Sequence, residues 1–519
     1  MRRWLIMSMV FTLACAPWAV RAQVDANDAA RRRFEQGQRL LVDGNYKEAL
    51  TDLDETIRVY PTSVWAGWAM ALEAEYFLEI ERDFERAKKD LERLKTYPAD
   101  VAPAAYLLSG RISLASSRTK ESIASAALDF QRAEQYYTGS PFVPEARYRA
   151  GDALRLNRQI DDAIERFQNL VLAYPRAVWS ARAGIRLAEC LVARGRWQEA
   201  LGALQRLRVE FANVPDAASE LQEAIKLNTI LFRLYVRGAS ERPAFAYAGQ
   251  PFGDGIRLED VTAMAFMPSD QLAVAAKAGI VLFEISGGQL PRVPAEEPTA
   301  LAVRRLNDSV EIPTARDRLP IYATRRGVVF GPGATVALRV KEGSEKLRLI
   351  ERVTGMFQRW NRDWIVADEE TKAIFTFGDK GEYRGSFLID GRALRTDRMV
   401  PTAYDDVATL DADRKRVTIL DREGRVLSQI DATGPGYRFD RPVDLAVDAL
   451  GHIYVLDRGK GQVFVFAPIV GPGASLLTVF SSLDDKQPSA FRKPTAFSLD
   501  SRGRLFIFDE DSRRIQVYQ

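Results

Sequence analysis

Histidine occurs once in the 519 residues, at His452, and cysteine twice, at Cys15 and Cys190. A zinc site built from several imidazoles is thereby excluded, and a Ser-His-Asp triad is reduced to one candidate base. Charge of one sign is missing too: 73 Lys and Arg stand against 70 Asp and Glu, a formal net charge of +3. That near balance leaves no electrostatic footprint for nucleic acid. The glycine-rich stretches Gly331-Pro332-Gly333, Gly434-Pro435-Gly436 and Gly471-Pro472-Gly473 read as turns. Gly459-Lys460-Gly461 has neither the spacing nor the strand-to-helix setting of a phosphate-binding loop. No cofactor and no metal site is expected.

Long apolar runs are also lacking. The one at the start, Trp4–Ala14, falls well short of the roughly 20 residues that span a bilayer. Arg2 and Arg3 precede it, Pro17 breaks it, and Val20-Arg21-Ala22 offers small residues for cleavage, so residues 1–22 read as a secretory signal peptide with the mature chain starting at Gln23. Thr12-Leu13-Ala14-Cys15 supplies a competing lipoprotein reading, in which Cys15 carries the anchor. Cys190 lies on a helical pattern, where a small buried hydrophobe is the expectation.

What is present is repetition, of two kinds. From Asp28 to about Arg237 the apolar period is helical. Ala49, Ala87, Ala126, Ala163 and Ala200 recur at intervals of 38, 39, 37 and 37 residues. Each is followed four residues later by Leu53, Leu91, Phe130, Phe167 or Leu204, and seven later by Thr56, Leu94, Ala133, Leu170 or Leu207. One small and two larger residues at this spacing form a single helix face, the Ala allowing a neighbouring helix close. Tyr60-Pro61, Tyr97-Pro98 and Tyr174-Pro175 end three of the helices, because proline disfavours helical geometry in the residue before it. Turns such as Asp43-Gly44-Asn45 and Arg194-Gly195-Arg196 make each unit a helix hairpin.

These units resemble tetratricopeptide repeats, five of them over about residues 29–215, with Ala217–Val236 as a solubilising cap helix. The unit at 144–175 carries the resemblance best, with Gly151, Ala163, Phe167 and Pro175 at the small, small, bulky and proline positions. Arg33 stands where the family has an aromatic, and an insertion falls near Ser116–Lys120. The variant at 174–201 is similar to repeats of bacterial envelope proteins.

The second repeat is β. Residues 441–466 return at 493–518: Pro442 and Pro494 open a strand, Asp448 and Asp500 stand three residues before Gly451 and Gly503, and a second strand ends at Asp457 or Asp509. Asp368 and Asp411 mark weaker copies, and the four closing aspartates lie 43, 46 and 52 residues apart. That is the length of one four-stranded blade. The pattern resembles NHL-repeat propellers, well over roughly 360–519 and weakly over 261–285 and 299–350, and implies six blades. Apolar strands such as Ile453–Leu456 must then be covered on both faces. The isolated strand Ala244–Ala248 is the candidate to pair with the last blade and close the ring.

The expected organisation is therefore multidomain α and β: signal peptide 1–22, helical repeat domain 23–237, linker and closing strand 238–250, and propeller 251–519. Recurrence once per blade marks Asp368, Asp411, Asp457 and Asp509 as turn-capping residues rather than ligands of one Ca²⁺ ion. His452 reads as a partly exposed strand residue. Trp65, Trp68, Trp179 and Trp197 read as filling between helices. Arg304-Arg305, Arg325-Arg326 and Arg513-Arg514 read as solvated loops. By resemblance, the first helix of each hairpin lines a concave groove, which places Tyr148, Asp152, Arg155, Arg182 and Glu189 on the partner-binding face, Arg155 and Arg182 as exposed charges. The function this implies is a non-catalytic, exported scaffold of the cell envelope, periplasmic or extracellular, with protein partners. A calcium-dependent propeller hydrolase and a reader of peptidoglycan or another carbohydrate are the alternatives.

Overall fold

The computed structural model describes residues 19–237, 243–249, 252–253, 256–267, 270–302, 321–324, 327–329, 335–342, 346–350, 352–359, 361–378, 381–387, 395–481 and 491–519, with side chains from residue 26. Residues 1–18 of the expected signal peptide, Cys15 among them, residues 238–242 of the linker, Arg304-Arg305, Arg325-Arg326 and Gly331-Pro332-Gly333 fall outside the described residues. Among those described, no helix is long and apolar enough to cross a membrane.

The chain divides into two compact units between Ala183 and Gly184. The expected boundary at residue 237 lies 54 residues later. The helices after Gly184 belong to the second unit together with the strands.

In the first unit the hairpins are Ala19–Val42 with Tyr46–Val59, Val64–Tyr76 with the short helices Phe84–Lys88 and Leu91–Leu94, Pro103–Ser116 with Lys120–Tyr136, and Val143–Leu156 with Ile160–Ala173. Helix Val178–Ala193 runs across the division, and Trp197–Glu210, which follows it, lies in the second unit. All fifteen residues of the small-bulky-bulky face are buried, and the five alanines are 0% exposed. Burying each of the large ones stabilises by about 1.5–3 kcal/mol. The facing helices answer with glycine. A Cβ on Gly110 would lie 2.5 Å from the ring of Phe130, and one on Gly151 would lie 2.7 Å from the ring of Phe167. These contacts are the close approach that the sequence spacing predicts.

In the second unit the strands form four four-stranded sheets, Ala300–Val336, Val353–Phe387, Arg398–Ile430 and Pro442–Ser481, and two three-stranded ones, Ala263–Phe283 and Pro494–Tyr518. All are antiparallel meanders. Their innermost strands neighbour one another in order, and the last, Pro494–Leu499, returns to the first, Ala263–Phe266. Five of the sheets are described along every strand and make five blades of a propeller. The sheet of Ala300–Val336, described in part, stands in the ring between the first of them and the next. Central strands such as Ile453–Asp457 and Leu505–Asp509 are buried at every position, because each blade covers its neighbour.

Backbone bonds join the segment Ala244–Ala248, which the structure pairs through one isolated bridge, Tyr247 with Tyr518, to the last strand. Ala246 N donates to Gln519 O and Gln519 N to Ala246 O, both at 2.9 Å, and Ala248 N donates to Val517 O at 2.9 Å. The final three-stranded blade thereby gains a fourth strand and its edge disappears.

The blade aspartates work as caps. Asp457 accepts from the backbone N–H groups of Asp440, Arg441 and Lys460. Asp509 accepts from Arg492, Lys493 and Ser512. Asp411 accepts from Arg414 N, and Asp368 from the N–H and hydroxyl of Thr371. Each carboxylate holds the turn that follows its strand, Asp457 and Asp509 also hold the chain entering their blade, and one such residue recurs in four of the blades.

Candidate functional site

The groove residues expected from sequence are placed unevenly. Arg155 is 3% exposed, and its Nε donates to Asp152 Oδ1 at 2.7 Å, so the two form an ion pair inside the helix layer instead of the exposed charge expected at Arg155. A buried pair of this kind holds helix geometry and presents little to a ligand. In the second unit Glu189 is buried and both its oxygens accept from Arg186 Nη1, at 2.8 and 3.0 Å. Tyr148 is buried as well, its ring 5.3 Å from that of Trp179 and 6.1 Å from that of Phe167.

The structure brings Tyr148 and Arg182 together through Trp179. This indole is half-buried, with the guanidinium of Arg182 4.5 Å from its ring centre and that of Arg149 5.3 Å away. Arg149 also bonds Glu145 at 2.6 Å, which fixes its plane. The result is an indole contacted by two guanidinium groups and by the Tyr148 ring. Sequence reading missed Trp179 and Arg149, treating the tryptophan as filler. The available signal was that Arg149 and Arg182 each lie within one helical turn of an aromatic that a neighbouring hairpin brings near.

The lone histidine is a correction. His452 is 0% exposed, not a partly exposed strand residue. Its Nδ1 lies 2.8 Å from Asp448 Oδ2 and its Nε2 lies 2.9 Å from the hydroxyl of Tyr235. With the carboxylate accepting from Nδ1–H, Nε2 is left to accept from the tyrosine. Tyr454 donates to the same Asp448 oxygen at 3.0 Å, and Trp197 stacks on Tyr235 at 5.5 Å. Burial holds both tyrosine hydroxyls above their ordinary value, so they act as donors.

Two sibling turns of the form Asp-x-x-Gly-x explain the choice of residue. Arg504 pairs with Asp500 at 2.6 Å and Arg425 with Asp421 at 2.7 Å. His452 takes the place of that arginine and keeps the aspartate, while its second nitrogen reaches the helical segment. Beside it, Arg233 Nη1 donates to the carbonyls of Arg502 and Gly503 at 2.9 and 2.6 Å. The last helix, Ala218–Leu231 with its π-helical continuation Phe232–Arg237, is therefore not a solvent-facing cap. It buries Leu227, Ile230, Leu231, Arg233 and Leu234.

At the propeller axis stands another fixed charge. Arg398, on an innermost strand, lies 3.3 Å from Asp444 of the next blade, and its Nη2 donates at 3.1 Å to the carbonyl of Thr262, beside the innermost strand opposite. Asp444 also accepts from Leu445 N and Phe497 N, both at 2.9 Å. Burial raises its carboxyl against the pull of Arg398. A guanidinium here spans the position where facing strands come nearest. Among the described residues, no group of three or more His, Cys, Asp or Glu side chains is placed to hold a metal ion.

Comparison with known proteins agrees with the two repeats. A tetratricopeptide-repeat model matches residues 154–225, and an NHL-repeat model matches residues 439–466. The chain thus combines tetratricopeptide-like repeats with an NHL-type propeller, repeats that suggest an interaction scaffold. No curated protein matches it by sequence. Among solved structures it is similar to a streptogramin B lyase, at 10% identity over 53% of this chain and 97% of that one, with a TM-score of 0.37. It is similar to a gluconolactonase of Xanthomonas campestris at 11% identity, over 53% and 91%, TM-score 0.35. It is also similar to a thermophilic TPR protein of Thermus thermophilus at 17% identity, over 38% and 98%, TM-score 0.30.

Proposed function

We propose that this protein is a non-catalytic scaffold of the bacterial cell envelope whose helical repeats hold a protein partner on the surface centred on Trp179. The observation that carries the reading is the half-buried indole with the guanidinium groups of both Arg149 and Arg182 close to its ring. Tryptophan, tyrosine and arginine are the residues that most often dominate binding energy, because they offer large rigid area and planar donors at small entropic cost. Tyr148 behind the indole and Glu145 on Arg149 hold the surface in place before a partner arrives, which lowers the ordering cost of binding. Two guanidinium groups favour a partner segment rich in carboxylates or exposed carbonyls.

Support for a non-catalytic role comes from how the polar groups are already engaged. His452 has both nitrogens in hydrogen bonds, Asp444 is matched by Arg398, and the blade aspartates hold backbone turns. Export is supported by the Arg2-Arg3 leader and the short apolar run behind it.

The test is capture of partners by crosslinking in native envelopes, comparing wild type with the Trp179→Ala, Arg182→Glu double variant. Capture is expected to weaken by about 2 kcal/mol, roughly thirtyfold, with helical content unchanged. Equal capture by the folded double variant would remove this surface as the partner site.

A further inference from the structure

Glu73 lies on helix Val64–Tyr76 and is 8% exposed, yet its Oε1 has no hydrogen-bond partner. A buried carboxylate oxygen in that condition costs a few kcal/mol unless something else meets it. It lines a cavity of about 80 Å³ between this helix, Tyr46–Val59 and Phe84–Lys88. The remaining walls are of two kinds: Leu50, Met70, Ala74, Phe77 and Ala87 are apolar, while Asp54, Arg86, Lys89 and Asp90 are charged. Immediately after Tyr76 the helix widens into a π turn, Phe77–Glu81, a form that recurs at functional sites.

The charges decide the sign of an occupant. Arg86 is taken by Glu81 at 3.4 Å and by the ring of Phe77 at 3.9 Å. Lys89 stands 3.9 Å from Asp90. Once Glu73 is ionised, the lining holds three carboxylates, Glu73, Asp54 and Asp90, against the two cations Arg86 and Lys89, and so favours a cation over an anion. A hard divalent ion wants six or more oxygens, and among the described residues no three Asp or Glu side chains are placed to share one. The volume suits about three or four non-hydrogen atoms. Apolar walls around a single carboxylate match a charged nitrogen at the tip of a methylene stem.

We propose that the Glu73 cavity binds a primary ammonium carried on an unbranched alkyl chain, its nitrogen on Glu73 Oε1 and its methylenes against Met70, Ala74 and Phe77. The lysine side chain of a protein and a free aliphatic diamine share this chemistry. The site is independent of the Trp179 surface, and either can fail alone.

Binding is coupled to a proton. Burial, then Asp54, raises the Glu73 carboxyl to about 8, with Lys89, Asp90 and Arg86 adding smaller opposed effects. At pH 7 the empty site is therefore mostly protonated, and an ammonium ion must displace that proton. Affinity should rise by about tenfold per pH unit up to about 8 and level off above it.

Calorimetry on the full chain tests this with 1,5-diaminopentane and, separately, with a short acetylated and amidated peptide containing one lysine. Binding at pH 8.5 about tenfold or more tighter than at pH 6.5, with release of close to one proton at pH 7 and its loss in the folded Glu73→Gln variant, is the expected result. Binding of the diamine alone assigns a free amine, of the peptide alone a protein lysine, and of both the shared chemistry. Failure of both probes at pH 8.5, or equal binding by Glu73→Gln, overturns the proposal and leaves a water-filled cavity.

Discussion

The hydroxyl of Tyr235 stands 2.9 Å from Nε2 of His452, although 217 positions separate them in the chain. One belongs to the end of the last helical segment and the other to a hairpin turn of the propeller, so this contact is part of what makes residues 184–519 one unit. Removing the hydroxyl by Tyr235→Phe leaves a buried ring nitrogen without a partner. The expected cost is about 1–2 kcal/mol, read as a lower urea midpoint of the propeller unit. An unchanged midpoint would show that the bond contributes nothing to the dock.

A larger loss is expected at the closing strand. Deleting Ala244–Ala248 removes three backbone bonds to the final strand and takes out Phe245, which is 1% exposed and packs on Tyr454 and Phe480. The last blade would then show an open edge and a cavity, at a cost of about 3–5 kcal/mol. The thermal transition of the propeller unit should fall accordingly. A transition at the wild-type temperature would mean that the ring holds without this strand.

Much of this architecture is written locally. Ala126 with Phe130, and Ala163 with Phe167, disclose the helix packing because helices three to four residues per turn bring those positions onto one face. Asp457 and Asp509 disclose the blade turns because the carboxylate serves its own neighbours in sequence. What stayed hidden depends on distant chain. His452 sits at a strand entry that looks exposed until Tyr235 covers it. Arg155 looks like a surface charge until Asp152 is seen buried with it, since a charge that is paired inside and one that is solvated have the same letter. Trp179 reads as filling because sequence does not show that Arg149 and Arg182 both approach its ring.

Glycine replacements separate packing from backbone conformation. In Gly503 the two coincide: φ is +68°, and an added Cβ would lie 2.9 Å from Ile230 of the last helix. Gly195 has a similar φ of +72° and open space around it. Gly503→Ala is expected to cost about 2–3 kcal/mol and Gly195→Ala about 1 kcal/mol, the excess measuring the helix-to-turn contact. Gly202, inside helix Trp197–Glu210 with nothing near its Cβ position, should behave oppositely. Gly202→Ala is expected to stabilise by about 0.5–1 kcal/mol through helix propensity. Equal losses at Gly503 and Gly195 in chemical denaturation would deny the contact its role.

The sharpest pH dependence should come from Glu73. Its carboxyl is pushed up to about 8 in the folded chain, mainly by burial, against 4.5 when solvated. Below about 4.5 both states are protonated and the stability that the neutral acid allows is fully present. Between about 4.5 and 8 the folded state keeps its proton and the unfolded state loses it, so unfolding releases a proton and stability falls as pH rises. The slope is at most about 1.4 kcal/mol per pH unit, and it ends once pH passes the folded value. Glutamine has no proton to lose. Relative to wild type, Glu73→Gln should therefore gain steadily from pH 5 to pH 8 and hold its advantage beyond, up to a limit of about 5 kcal/mol. Urea titrations followed by helical ellipticity across that range make the comparison. Parallel stability curves for the two proteins would mean that Glu73 titrates as a solvated carboxylate, and the cavity around it would then be open to water.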